Sequence, residues 1–160
     1  MAKKKGRNAR QPEKEFDLYI LEIDSWDSPY SFGINITRHL SEGPFWEFSS
    51  INISGNFILP EKISGKDITI SLYGSRDFIP YLNSPQKYDD YEPKSIGHLT
   101  IRGKQRNGHA FIPVDMFSFI MSMLSDGRFK FLKMNGHALY RGNASIRSVS
   151  FHQEYDVDEW

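Results

Sequence analysis

Hydrophobic and polar residues alternate with a period of two over much of this chain. Tyr30, Phe32, Ile34 and Ile36 alternate with Ser31, Gly33, Asn35 and Thr37, and Ile68, Ile70 and Leu72 alternate with Thr69, Ser71 and Tyr73. That period gives a strand one apolar and one polar face. It predicts half-buried strands, most clearly over 30–37. Residues 16–23 are apolar on both faces, as a central strand would be. Residues 46–53 alternate with a phase slip at Ser49-Ser50, the mark of a bulge. Shorter strand-like runs occupy 57–59, 96–102, 109–112 and 144–152. Asn135-Gly136, between runs at 129–134 and 137–140, predicts a tight hairpin turn, because both turn positions need positive φ.

One stretch breaks the rhythm. The polar residues of 114–125 are Asp115, Ser118, Ser122 and Ser125, spaced three, four and three. This draws one narrow stripe on a helix and none on a strand. Pro113 suits the first turn, Asp115 the positive end of the helix dipole, and Gly127 the left-handed stop. The remaining positions, from Val114 to Leu124, form an apolar arc wide enough to predict a helix surrounded on nearly all sides.

About ten short strands and one helix predict an all-β fold. The first expectation is a two-sheet antiparallel β-sandwich with the helix near 114–125 on an open end or edge; the alternative is a β-barrel closed by that helix. Residues 1–14 read as a disordered basic tail, 15–155 as one domain and 156–160 as an acidic C-terminal tail. No internal repeat is present. Residues 74–95 look like a long connection, with three prolines, three tyrosines and the acids Asp89, Asp90 and Glu92. Such loops are often functional.

Composition narrows the chemistry. The chain has 160 residues and no cysteine, which excludes disulfides, zinc-thiolate sites and cysteine nucleophiles. No run of apolar residues is long enough to span a membrane as a helix. With no signal-peptide pattern, a cytoplasmic location is expected. Net charge is zero, from 20 basic and 20 acidic residues. Five of the basic ones, Lys3, Lys4, Lys5, Arg7 and Arg10, fall in the first ten residues, which leaves 15 basic against 20 acidic in the body. An acidic body argues against a broad nucleic-acid surface, so phosphate contacts are expected only from the tail.

Phosphate-loop, dinucleotide, nucleophile-elbow and zinc-protease motifs are all absent. No metal or cofactor is predicted, and simple hairpin registers do not place His98 opposite His109. Aromatics in or beside loops are the stronger lead: Trp26, Tyr30, Trp46, Tyr81, Tyr88 and Tyr91 are the candidate ligand-binding residues. Met116, Phe119 and Met123 on the helix are the candidate interface. The leading expectation is a non-catalytic binding or assembly module, whose partner is a second copy of the chain or another protein. The alternatives are a carbohydrate-binding sandwich, with a glycan on Trp26, Trp46 and the 81–91 loop, and a hydrolase-like enzyme using carboxylates such as Asp77, Asp89 or Glu92.

Overall fold

The computed structural model describes residues 15–36, 43–88 and 90–155. These carry eight strands: β1 (Phe16–Asp27), β2 (Tyr30–Ile34), β3 (Phe45–Leu59), β4 (Asp67–Ser75), β5 (Gly97–Arg102), β6 (Gln105–Pro113), β7 (Phe131–His137) and β8 (Asn143–His152). Two α-helices accompany them, α1 (Ile79–Asn83) and α2 (Phe117–Ser125), with short 3-10 turns at Glu61–Ile63, Pro85–Tyr88 and Val114–Met116. The expected tails, 1–14 with its five cations and 156–160, lie outside the described residues.

The chain is all-β, but the two-sheet sandwich does not form. Seven strands run β1-β7-β8-β5-β6-β4-β3, and β3 pairs back onto β1, so the sheet closes into a barrel. Alternation cannot separate the two architectures, because each puts every second residue into a shared interior. Closure depends on whether the last edge meets the first. Here it does, and the β1–β3 pairing carries shifts between Ile20 and Leu21 and between Ile23 and Ser25, bulges of the kind that bend and twist strands. Fewer strands form than the ten expected, partly because 46–53 and 57–59 are one continuous strand.

All pairings in the ring are antiparallel except β4 with β6. A parallel pair needs a long crossover. That crossover is residues 76–104, so the 74–95 segment is neither structureless nor a simple loop: it holds α1, a 3-10 turn and the approach to β5. Tyr19, Leu21, Ile51, Ile53, Ile70, Leu72, Leu99, Leu132, Met134 and Ile146 make a dry interior.

The two ends of the barrel are stoppered. Ile63, in the 3-10 turn after β3, is buried at one end. At the other end α2 crosses from β6 to β7. Its Phe117, Ile120 and Leu124 are buried at spacings of three and four, which is the inner stripe of a helix. Gly74 leaves room for the plug: a Cβ there would lie 2.9 Å from Val114 and 3.1 Å from Phe117. Gly127 has a φ of 67° and ends the helix as expected. All-round burial is not found. Met116 and Phe119 are exposed, Met123 is half-buried, and residues 114–116 form a 3-10 turn. A helix lying across a barrel mouth touches protein on one side only.

Asn135-Gly136 is not a turn. Both residues lie inside β7, which pairs with β1 on one side and β8 on the other. A Cβ on Gly136 would run into the carbonyl of Ser145, so this glycine serves close backbone approach at a bulge rather than positive φ. The turn comes at Arg141 and Gly142, with φ values of 50° and 78°.

Candidate functional site

β3 is fifteen residues long, and its first third lies beyond the barrel. There 45–49 pair with β2 in the register Tyr30–Ser49, Phe32–Glu47 and Ile34–Phe45. Among the described residues β2 has no other partner strand. The two strands therefore form an arm that stands off the ring.

Both faces of this arm are apolar. One carries Tyr30, Phe32, Ile34 and Phe45, with the Phe32 and Phe45 rings stacked at 5.7 Å. The other carries Trp46 and Phe48. The Trp46 ring lies over Gly33, where a Cβ would be only 2.8 Å from it. Phe48 continues onto the outside of the barrel through Tyr73 at 5.7 Å and Phe111 at 5.6 Å. Phe32 is 62% exposed and Trp46 44%. The one charged residue on these two strands is Glu47, which pairs with Arg76 at 3.1 Å and accepts from the Tyr30 hydroxyl at 3.3 Å.

Among the described residues the outer edge of β2 is open as well. Asn35 N–H donates to the Pro44 carbonyl and Ser50 N–H to the Pro29 carbonyl. The alternation of an antiparallel ladder then turns the N–H and C=O groups of Tyr30, Phe32 and Ile34 toward the free edge.

A groove of about 720 Å³ lies on a different sector of the barrel, where segment 91–95 passes over the outside of β7 and β8. Its floor is His137, Ser145 and Arg147; Tyr91, Glu92 and Lys94 are in its wall. His137 Nδ1 and the Ser145 hydroxyl share a hydrogen bond. The His137 ring stacks on Phe16 at 5.2 Å, and the Arg147 guanidinium lies 5.0 Å from the centre of that same Phe16 ring. Tyr91 stacks on Tyr81 at 5.2 Å. No carboxylate meets His137 Nε2 among the described residues, so the pair lacks the orienting acid of a nucleophilic triad.

The six aromatic candidates do not converge. Trp26 is half-buried against the core. Tyr30 and Trp46 are on the arm. Tyr91 borders the groove with Tyr81 stacked on it, and the side chain of Tyr88 lies outside the described residues. β3 and β8 are three strands apart in the ring one way and four the other, so arm and groove are on opposite sides. Phe32, Ile34, Phe45 and Phe48 complete the arm and were not among the candidates. Their alternation reads as a strand with one buried face, and the pattern does not say which molecule does the burying. The phase slip at Ser49-Ser50 was the available signal: it marks no bulge, but the point where β3 leaves the arm, with apolar residues facing outward, and enters the barrel, with them facing inward.

The carboxylates in and beside the loops are scattered or occupied. Asp24 and Asp27 accept from the side-chain amides of Asn56 and Asn52 at 2.6 and 2.7 Å. Asp77 is exposed beside α1, Asp89 lies outside the described residues, and Glu92 is the one carboxylate among the described residues that borders the groove. His98 does lie opposite His109, contrary to the simple register; His98 approaches Asn143 at 3.4 Å while His109 packs against Tyr73. Among the described residues no three potential metal ligands cluster, and no helix is long and apolar enough to cross a membrane. Comparison with protein-family models, curated proteins and solved structures finds no match.

Proposed function

We propose that this chain is a non-catalytic assembly module that joins copies of itself through the β2–β3 arm. The observation that carries this reading is an arm apolar on both faces beside an open strand edge. A two-stranded ribbon has no interior of its own, so its apolar faces are stabilised only when another surface covers them. Tyr30, Phe32, Ile34, Ile36, Phe45, Trp46 and Phe48 are 42 to 93% exposed. With roughly 200 Å² for a full side chain of this size, they present about 800 Å². A standard interface takes about 800 Å² from each partner, so the arm has apolar area to spare for edge pairing, which draws on the part of it beside β2.

A second copy fits the edge because the edge complements itself. Antiparallel pairing of two β2 strands about a two-fold axis at Phe32 sets Phe32 against Phe32 and Tyr30 against the second copy's Ile34. Little charge needs desolvating, since Glu47 is already paired with Arg76. Sedimentation equilibrium of the full chain tests this. The expected result is a reversible dimer that Phe32→Glu converts to monomer with the barrel still folded. A wild-type chain that stays monomeric over a wide concentration range overturns the reading.

A further inference from the structure

The groove over β7 and β8 carries a second, independent site. We infer that it binds a sugar phosphate, with the phosphate on Arg147 and Lys94 and the sugar against Tyr91 and Glu92. Its volume of about 720 Å³ falls within the range of small-molecule sites, roughly 300–1,000 Å³.

Among the described residues two cations and one acid line the groove, and neither cation is matched by a carboxylate. Arg147 and Lys94 make no ion pair among the described residues. Arg147 rests on the Phe16 ring instead. That contact places a guanidinium without occupying its N–H groups, which stay available to a bidentate acceptor. Phe16 stacks on His137 as well, and the hydrogen bond between His137 and Ser145 fixes that hydroxyl beside them. The floor is therefore a guanidinium and a polar pair held by packing. A phosphate monoester carries about −1.5 to −2 charge and three acceptor oxygens, so it can use an arginine fork, an ammonium and a hydroxyl together.

The wall asks for something other than charge. Tyr91, stacked on Tyr81, offers a flat apolar face of the kind that packs on a sugar ring. Glu92 would repel a bare anion, yet it is an acceptor suited to sugar hydroxyls. A ligand with an anionic end and a hydroxyl-bearing body satisfies both halves of the groove.

Isothermal titration of the full chain with glucose 6-phosphate tests the inference, with glucose, inorganic phosphate and adenosine monophosphate as parallel probes. Saturable binding of glucose 6-phosphate is expected, at least tenfold tighter than that of glucose or inorganic phosphate. Equal binding of adenosine monophosphate also supports the site and identifies a nucleotide as the source of the sugar phosphate. Arg147→Gln and Lys94→Ala should each weaken binding about tenfold or more, and Lys94, being exposed, can be removed without disturbing the fold. The inference is overturned if glucose 6-phosphate does not bind, if inorganic phosphate binds as tightly, or if Lys94→Ala leaves the affinity unchanged.

Discussion

Replacing Leu124 by alanine removes one of the three side chains with which α2 stoppers the barrel. Leu124 is 6% exposed, so nearly all of its side chain is out of water. Three carbons at about 0.8 kcal/mol each give roughly 2.4 kcal/mol. The cavity left behind adds to that, and the total for a buried leucine falls at about 3–4 kcal/mol. Alanine's better helix propensity returns only a few tenths. Phe119 is the control on the same helix: it is 52% exposed and meets Phe129 edge-on at 5.9 Å. Its truncation should cost only about 1–1.5 kcal/mol. Urea unfolding followed by far-UV circular dichroism reads both, at one fixed protein concentration because self-association would shift the midpoint. With an m-value of about 2 kcal/mol/M, Leu124→Ala should lower the midpoint by roughly 1.5–2 M. A cost below about 1 kcal/mol for Leu124→Ala, or an equal cost for the two variants, would refute the assignment of α2 as a plug.

Three further outcomes follow from local geometry. Gly136→Ala should destabilise the barrel by about 3 kcal/mol or prevent folding, because its Cβ meets the Ser145 backbone rather than a flexible side chain; a thermal midpoint unchanged from wild type would contradict that close backbone approach. Gly142→Ala should also destabilise, by about 1 kcal/mol or more in urea titration, since its φ is 78° and Arg102 and Ile101 crowd the site. Burial, with the Asp17 carboxylate adding, pushes the Tyr19 hydroxyl above its ordinary range, while that hydroxyl donates to the His137 carbonyl at 2.6 Å. The folded state then holds the proton more tightly than the unfolded chain, so stability from this group is intact below pH about 10 and falls above it, by at most about 1.4 kcal/mol per pH unit. Tyr19→Phe should flatten that alkaline decline, and an unchanged pH profile for the variant would contradict it.

The period-two pattern located most strand residues because alternation depends only on having one wet and one dry face. It could not report closure, since the pairing of β1 with β3 joins residues some thirty positions apart and leaves no local trace. It also could not report what covers an apolar face, which is why 30–36 read as half-buried when the arm is exposed. Asn135-Gly136 misled for a related reason. The residue types suit a turn, but a glycine is equally required where Ser145 crowds a strand. The helix was legible down to its glycine stop, whereas the number of its sides that meet protein was not. The groove had no sequence signature at all: Lys94, His137, Ser145 and Arg147 are brought together only when β7 and β8 pair and the crossover passes over them.

Disulfide trapping at the arm tests the central claim most directly. The chain contains no cysteine, so Phe32→Cys creates a single reactive thiol at the proposed two-fold axis. Directly paired antiparallel residues lie about 5.5 Å apart between Cα atoms when they exchange hydrogen bonds, within the range a disulfide spans. Under mild oxidation Phe32→Cys should form a covalent dimer rapidly, whereas a cysteine at exposed Lys62, at the far end of the barrel, should not. Equal cross-linking at the two positions, or none at Phe32→Cys, would contradict assembly through the β2 edge.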